Sequence, residues 1–145
     1  MAKSKYKNKK FEIDNIKLDS KLEAEYYLYL KGLKEKGKIK DFTVHQKFLL
    51  QPSYKKYGKN IRAITYAVDF SITYNNGTIE HIDTKGMATK DGELKRKMFD
   101  YLYPSETLKW ISKSIKYGDE NGWIEYDKLK KLRAESKKTK AKDKK

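Results

Sequence analysis

The sequence predicts an α/β fold in which helices flank a central mixed sheet, with the element order α-β-β-β-α-β followed by a C-terminal helix. Three observations lead to this prediction. Several segments place apolar residues at helical spacing, two runs of β-branched and aromatic residues flank an Asn-Asn-Gly turn, and no internal repeat occurs. A chain of 145 residues is long enough for one modest hydrophobic core, so residues 11–136 are predicted to form a single domain.

Positive charge is concentrated at the two ends of the chain. The formal net charge is +15, of which residues 1–10 and residues 137–145 each contribute +5. Both ends are predicted to be disordered basic tails that can bind phosphate groups loosely. Only Arg62, Arg96 and Arg133 are arginine, and an excess of lysine also arises from biased codon usage. The charge therefore permits a nucleic-acid partner without requiring one.

The composition excludes several other classes of protein. The chain has no cysteine, which rules out a disulfide framework and a cysteine zinc site, and its two histidines are too few for a histidine-rich metal site. No apolar run reaches the roughly 18 residues of a membrane span. The first residues also lack the apolar core of a signal peptide. We expect a cytoplasmic protein without a membrane partner.

The first helix is predicted from about Asp19 to Lys36. Ser20 begins a Ser-Lys-Leu-Glu capping box that ends at Glu23, and Gly37 is a natural C-terminal stop. One apolar stripe runs along this helix: Leu22, Tyr26, Tyr29, Leu30 and Leu33. Glu23 lies at the border of the stripe. It is either a surface cap or an acid that leans over the neighbouring sheet.

The first strand is predicted over Phe42 to Leu50, and it carries a polar residue, Gln46, on an apolar face. That side chain either bonds to the backbone or reaches a site at the end of the sheet. The connector that follows, residues 51–60, mixes lysines with tyrosines. Such a segment can bind a nucleic-acid strand, although a solvated loop fits the pattern equally well. Lys47, Lys55 and Lys56 are the candidate DNA contacts of this region.

A β-hairpin is predicted around Asn75-Asn76-Gly77, with strands over residues 61–74 and 78–84. A two-residue loop would place Asp69 opposite Thr84. A three-residue loop closed by a left-handed Gly77, which the residue order favours, places Asp69 opposite Asp83. Directly opposite Cβ atoms are about 4.5–5.5 Å apart, and two carboxylates at that spacing need a cation between them. Lys85 shares their face, whereas the other face is apolar and predicted to be buried: Ile64, Tyr66, Val68, Phe70 and Ile72.

The rest of the chain is predicted to add a helix, a strand and a last helix. The helix covers residues 93–103 and buries Leu94, Met98 and Leu102, which leaves Lys95, Arg96 and Lys97 pointing elsewhere. A short strand follows at residues 107–111. A turn-rich link precedes the last helix, from Trp123 to about Ser136. His81 is predicted to be solvated or to face DNA.

Asp69 followed by Asp83-x-Lys85, on adjacent strands flanked by helices, resembles the PD-(D/E)xK nuclease motif of the restriction-endonuclease-like fold, whose core has the same element order. A closer likeness is to a small phage family of that superfamily, a domain of unknown function grouped with phage Holliday junction resolvases. The likeness covers roughly residues 10–112, with Val68 in place of the proline of the motif. Five blocks carry it: DSKLEAEYY (residues 19–27), GKIKDFTVHQKFLL (37–50), YAVDF (66–70), IDTKG (82–86) and LKRKMF (94–99).

The resemblance implies a role for each polar residue. Asp69, Asp83 and the carbonyl oxygen of Thr84 would hold Mg²⁺, with Mn²⁺ as a substitute, and Glu23 would be a further ligand. Lys85 would orient the attacking water or stabilise the transition state, and Gln46 would be a polar residue of the same site. The basic residues of the following helix, Lys95, Arg96 and Lys97, would contact phosphates.

The implied function is that of a Mg²⁺-dependent endodeoxyribonuclease of phage or prophage type that hydrolyses branched DNA such as a Holliday junction. Because a four-way junction has two-fold character, symmetric cleavage implies a homodimer. A nuclease for duplex, flap or single-stranded DNA is the nearest alternative. A nucleic-acid-binding module without catalysis is another, and a protein-interaction factor with incidental positive charge is a third.

Overall fold

The computed structural model describes residues 10–143, in which the chain forms eleven strands and three helices. The strands are β1 (Phe11–Ile13), β2 (Ile16–Leu18), β3 (Asp41–Val44), β4 (Lys47–Gln51), β5 (Tyr54–Lys56), β6 (Lys59–Ile61), β7 (Ile64–Ala67), β8 (Phe70–Thr73), β9 (Ile79–Thr84), β10 (Leu108–Lys113) and β11 (Trp123–Glu125). The helices are α1 (Lys21–Glu35), α2 (Lys90–Leu102) and α3 (Tyr126–Asp143).

Five of these strands form the central sheet, in the order β11-β10-β9-β8-β3. Strands β3, β8 and β9 are antiparallel neighbours, β9 and β10 are parallel, and β11 is antiparallel to β10. A parallel pair needs a crossover, and α2 supplies it. Along the chain, α1, β3, β8, β9, α2 and β10 give the predicted order α-β-β-β-α-β. The prediction of an α/β fold with a mixed central sheet and a C-terminal helix is therefore confirmed.

Two strands that were predicted to be continuous are each broken by a bend. The chain leaves the central sheet between β3 and β4 at His45-Gln46, and it returns to that sheet between β7 and β8 at Val68-Asp69. His45 takes a positive φ of 56°. The bends face each other, since His45 N–H donates to the carbonyl of Asp69 (3.1 Å) and Val68 N–H donates to the carbonyl of Gln46 (3.0 Å). Beyond them β4 and β7 continue as a separate antiparallel ribbon.

Two hydrophobic cores lie on opposite faces of the sheet. Phe70 and Ile82 are cross-strand partners that face α1. Ser71 and His81, one residue further along, point to the other face, where the His81 ring packs against Phe48 and Phe99. The predicted single apolar face of residues 64–72 is therefore wrong. The bend at Asp69 assigns Phe70 and Ile72 to the first core and assigns Tyr66 and Val68 to the second.

The helices also depart from prediction in their buried faces and ends. In α2 the buried residue is Phe99, and Met98 packs beside it as predicted. Leu94 is 58% and Leu102 is 43% exposed, so the predicted stripe is wrong for these two residues. Through Phe99, α2 packs against the β4–β7 ribbon. The sequence pattern did not separate this ribbon from the central sheet. No helix in the described part of the chain is both long and apolar enough to cross a membrane.

The C-terminal region begins as a strand and continues as a long helix. Trp123–Glu125 form β11, and α3 then runs to Asp143, so the helix predicted to start at Trp123 starts three residues later. Residues 137–143 are helical, which corrects the prediction of a disordered tail from residue 137. The predicted N-terminal tail lies outside the described residues except for Lys10.

Candidate functional site

The register of the β8–β9 hairpin brings the two predicted acids together. Tyr74 N–H donates to the carbonyl of Thr78 (2.8 Å), and Gly77 closes the loop with a φ of 89°. These contacts define the three-residue loop that the sequence favoured. The strand pairs continue from Thr73–Ile79 to Phe70–Ile82. One step further, Asp69 lies beside Asp83.

The backbone of each strand holds the carboxylate of the other. Asp69 N–H donates to Oδ1 of Asp83 (2.8 Å). Thr84 donates twice to Oδ2 of Asp69, through its N–H (2.8 Å) and its hydroxyl (2.9 Å). Asp69 lies in the bend and not inside a strand, which removes the cost of placing an aspartate within a sheet. The pair is thus positioned by local hydrogen bonds.

Two buried aromatic residues complete the surroundings of Asp83, and sequence analysis did not identify either as a site residue. The Tyr66 hydroxyl donates to Oδ2 of Asp83, and Trp110 Nε1–H donates to that hydroxyl (2.9 Å). Trp110 is the cross-strand partner of Asp83 on β10. The sequence does place a tyrosine and a tryptophan in strands, but only the tertiary fold joins them to the acid.

Both acids ionise less readily than an exposed carboxyl group. Burial and the negative charges of Asp83 and Glu23 raise the pKa of Asp69 to about 7, although the two hydrogen bonds from Thr84 act to lower it. Burial also raises the pKa of Asp83, opposed by the hydrogen bonds from Tyr66 and Asp69 and by the charge of Lys85. A cation at this point would relieve the repulsion between the acids.

Glu23 belongs to the same acidic group and is only 2% exposed. Its N–H donates to Oγ of Ser20 (3.0 Å), as in the predicted cap, but its carboxylate accepts from Asp19 N–H (3.0 Å) and not from Ser20 N–H. The other carboxylate oxygen lies 2.6 Å from Nε2 of His45. Glu23 therefore caps α1 and also contacts His45, whose backbone N–H donates to the carbonyl of Asp69.

Asp19, Glu23 and His45 form a cluster of potential metal ligands. One ligand atom from each lies within 4.8 Å of the others. His45 was not predicted as a site residue, because its approach to Glu23 depends on the positive φ at the bend. Carboxylates in this region suit a hard cation, and an imidazole suits a transition ion such as Mn²⁺ better than it suits Mg²⁺.

Lys85 lies at the edge of the acid pair, partly exposed to solvent. Its Nζ is 3.9 Å from Oδ2 of Asp83 and 5.0 Å from the ring centre of Trp110. The backbone around it is fixed, because its N–H donates to the carbonyl of Ile111 (2.8 Å) and its carbonyl accepts from the Ser112 hydroxyl. The ammonium group is held near the acids while it stays accessible from outside.

Gln46 contacts a buried polar network and not the acid pair. Its Oε1 accepts from the Ser71 hydroxyl (3.1 Å), which lies 2.7 Å from Nδ1 of His81. The second ring nitrogen of His81 is 2.8 Å from a carboxylate oxygen of Glu106. The prediction that His81 is solvated or faces DNA is wrong, because this ring is buried between the sheet and α2.

The candidate DNA-binding residues fall into two groups. Lys47, Lys55, Lys56 and Lys97 are exposed and Lys95 is half-buried. Arg96 instead forms intramolecular contacts: its guanidinium donates two hydrogen bonds to the Asp127 carboxylate (2.9 and 3.3 Å) and stacks 3.8 Å from the ring centre of Trp110. This geometry gives Arg96 a structural role that joins α2, β10 and α3.

A basic groove that sequence analysis missed lies directly after Lys85. A cavity of about 320 Å³ separates the loop at Gly86-Met87 from α3. Its helical side carries three basic residues, namely Lys130, Arg133 and Lys137. Their spacing along the helix was visible in the sequence. The missing information was that α3 folds back toward the end of β9.

A second cavity, of about 520 Å³, is not lined by any of the acidic site residues. It lies between α1 and β3, where Tyr27, Lys31, Phe42 and Val44 contribute to its walls. Pockets of that volume suit small molecules. A polymeric substrate needs an open surface beside its reactive groups, so this cavity does not compete with the acid pair as the candidate site for DNA.

Comparison with known proteins relates most of the chain to one family. Residues 3–119 match the family described as "Protein of unknown function (DUF1064)". No curated protein and no solved structure matches the chain. Since the match spans well over half of the 145 residues, this protein belongs to the family of unknown function DUF1064.

Proposed function

We propose that this protein is a divalent-metal-dependent endodeoxyribonuclease that hydrolyses phosphodiester bonds in DNA. The observation that carries the proposal is the placement of Asp69 beside Asp83, with Glu23 close enough to raise the pKa of Asp69 and with Lys85 Nζ 3.9 Å from Asp83. Asp69 directly before β8, with Asp83 and Lys85 at the end of β9, also matches what the PD-(D/E)xK resemblance implies. Perturbed carboxyl groups that lie together are a recognised mark of functional sites.

The donor set fits a hard divalent cation. Carboxylate oxygens are the ligands that Mg²⁺ and Mn²⁺ prefer, and the acids here are held by backbone N–H groups before any ion binds. Oδ1 of Asp69 accepts no hydrogen bond from the described residues and is free to coordinate. Asp69 and Asp83 would be the ligands, supported by the Thr84 carbonyl and by Glu23.

When bound, such a cation would activate water and neutralise charge on the scissile phosphate. Lys85 would act as a point charge on the phosphate oxygens or would orient the water, because its ammonium group stays partly exposed next to Asp83. Hydrolysis would then add water across one P–O bond. The hydrogen bonds from Tyr66 and Asp69 N–H would keep the Asp83 carboxylate in place throughout.

Branched DNA is the proposed substrate, and a homodimer is the proposed active form. Both rest on the likeness to phage Holliday junction resolvases. The exposed lysines of residues 47–59 and the groove beside Lys130, Arg133 and Lys137 support a polyanionic substrate, because they add positive charge in the segment before Asp69 and in the groove directly after Lys85. Nucleases for duplex, flap or single-stranded DNA would use the same chemistry.

The test is cleavage of a labelled four-way junction beside matched duplex, flap and single-stranded DNA, each with Mg²⁺, Mn²⁺ or a chelator. Asp83→Asn keeps an acceptor for Asp69 N–H and should lose metal-dependent cleavage by at least about 100-fold. Lys85→Ala should lose cleavage to a similar extent and keep DNA binding. Asp41→Asn and Lys34→Ala, which break a surface ion pair of 2.9 Å, are the matched controls and should cleave normally.

The outcomes separate the alternatives. Paired nicks on the junction alone, lost in Asp83→Asn, would support a resolvase. Cleavage of every substrate would keep the nuclease and overturn the preference for branched DNA. If no substrate is cleaved with either metal while DNA binding persists, the protein is a binding module and the nuclease proposal is wrong. DNA affinity that disappears at physiological salt would favour a protein with incidental charge.

A further inference from the structure

A second surface with features of a ligand site lies away from the acid pair. Strands β5 and β6 form a hairpin, Tyr54–Ile61, that pairs with no other strand in the described part of the chain. We refer to these residues as the arm. Its two-residue turn is Tyr57-Gly58, both with positive φ (53° and 71°), and the Tyr57 side chain at the tip is 89% exposed. The arm contributes no buried residue to either core, so the fold does not require an aromatic residue at its tip.

The charge on the arm is unbalanced. Lys56 and Lys59 are direct cross-strand partners, a pairing of like charges that is unfavourable in a sheet. No acidic residue occurs between Asp41 and Asp69. Within residues 10–143, neither Lys56 nor Lys59 forms an ion pair, and the same is true of Lys55. A polyanion bound along the arm would remove the repulsion.

Aromatic groups accompany these charges on the arm. Lys56 Nζ lies 5.2 Å from the ring centre of Tyr57, so a cation and an aromatic face are presented together at the tip. Nearer the base, Tyr54 lines a groove of about 410 Å³ together with Ser53, Lys55, Asn60, Ile61 and Arg62. Alternating basic and aromatic groups are how proteins bind nucleic-acid strands without reading their sequence, since every base has a face on which a ring can stack.

We propose that the arm binds DNA and that the Tyr57 ring stacks on an unpaired or unstacked base, while Lys55, Lys56 and Lys59 bind the flanking phosphates. The inference deepens the proposed nuclease function and rests on it for the choice of DNA. It names the feature of the substrate that is recognised: an exposed base at a fork, gap or branch point. A continuous duplex offers no free base face, so the arm would contribute only its charge there.

The arm is attached where it can reach the same DNA as the acid pair. It follows from the β4–β7 ribbon, which leaves the sheet at the bend that contains Asp69. Roughly twelve residues separate Asp69 from Tyr57, which is at most about 40 Å at about 3.3 Å per residue. One turn of duplex DNA spans about 34–36 Å. A base held at the tip would therefore lie within about one helical turn of the bond presented to Asp69 and Asp83.

The experiment measures binding separately from cleavage, with the full chain in chelator. Fluorescence anisotropy would compare a forked DNA with a duplex of equal length, and 2-aminopurine at the first unpaired position would report stacking. Tyr57→Ala should weaken binding to the fork by about 5- to 150-fold and abolish the 2-aminopurine quenching. Duplex binding should change less than twofold. Tyr57→Phe should behave as wild type, since stacking needs only the ring.

Tyr101→Ala is the matched control, because Tyr101 is 85% exposed on α2, outside the arm, and its loss should leave fork binding unchanged. Lys59→Ala should lower the salt dependence by about one phosphate contact on both DNAs. If Tyr57→Ala binds the fork as wild type does, or weakens fork and duplex equally, the stacking proposal is wrong. If wild type shows stacking but never cleaves DNA, the arm proposal stands and the nuclease proposal falls.

Discussion

Asp69 and Asp83 are each held by the strand of the other, because Asp69 N–H donates to the Asp83 carboxylate (2.8 Å) while Asp69 accepts from Thr84, the neighbour of Asp83 (2.8 Å). This exchange fixes the two carboxylates side by side without any cation. Burial and the negative charge of Asp83 still raise the pKa of Asp69 to about 7. The protein therefore carries a built-in preference for a positive charge at this point.

Asp69→Asn should stabilise the protein in the absence of metal at alkaline pH. The folded pKa of Asp69, about 7, lies above its unfolded value. The protonated Asp69 carboxyl therefore favours the folded state. This contribution to the free energy of unfolding is fully present below the unfolded pKa and is lost as pH rises through about 7. Thermal melts in chelator should give the variant a melting temperature a few degrees above wild type at pH 8. The difference should shrink as pH falls below about 7 and should approach zero only near the unfolded pKa of 3.8.

Added Mg²⁺ should give wild type a higher melting temperature than Asp69→Asn at pH 8, because a cation that binds only the folded wild type stabilises it by mass action. The melting temperature of Asp69→Asn should not respond to Mg²⁺. Asp41→Asn is the control, since Asp41 is an exposed acid whose pKa is lowered by Lys34, and it should lose no response to Mg²⁺. Equal responses to Mg²⁺ in wild type and Asp69→Asn would remove Asp69 from the ligand set.

The acid pair could be predicted because it depends on local sequence. The hairpin register follows from three turn residues, and residues 69 and 83 are then opposite each other by counting. The bend at His45 and Asp69 could not be found in this way. It depends on β4 pairing with β7 instead of continuing the central sheet, and both strands are apolar enough to suit either arrangement.

The surroundings of the pair were missed for the same reason. Tyr66 and Trp110 are 44 residues apart and meet only because α2 returns the chain to a position parallel to β9. In α2 itself, Leu94 and Phe99 lie on different faces of the helix, and periodicity alone could not decide which face meets the sheet. The sequence predicts which residue types occupy an element, whereas the partners of that element decide which face is buried.

Glu23→Gln should weaken metal binding. A glutamine at position 23 can still accept from Asp19 N–H, so the cap of α1 should survive, whereas the charge that faces His45 and Asp69 is lost. A ligand or its close support typically contributes about 10- to 100-fold in metal affinity. Isothermal titration with Mn²⁺ should show a loss in this range. Glu25→Gln, which breaks a surface contact with Lys113, is the control and should bind Mn²⁺ as wild type does. If Glu23→Gln also binds Mn²⁺ as wild type does, Glu23 is not part of the metal site.

Arg96→Ala should lower stability and leave DNA affinity unchanged. The substitution removes a partly exposed ion pair with Asp127 and the stacking on Trp110, together worth about 1–2 kcal/mol. Denaturant unfolding would measure the decrease in the free energy of unfolding. A double-mutant cycle with Asp127→Ala would give the interaction energy of the ion pair. Lys97→Ala is the converse control, since this exposed lysine should affect DNA affinity and not stability. Weaker DNA binding by a fully folded Arg96→Ala would return Arg96 to the DNA-binding set.

Tyr66→Phe should affect both stability and the pH dependence of cleavage. Removing the hydroxyl leaves Trp110 Nε1–H and an oxygen of Asp83 without their partner in a buried setting, which costs about 1–3 kcal/mol. The same hydroxyl lowers the pKa of Asp83, so its loss raises that pKa, and a higher pH is needed to ionise the acid. The acidic limb of the pH–rate profile should therefore move to higher pH.

Tyr74→Phe, which loses a hydroxyl bonded to Glu80 in the first core, should leave the profile in place. A Tyr66→Phe protein that is destabilised but keeps the wild-type profile would show that the tyrosine supports the fold and does not set the charge of Asp83.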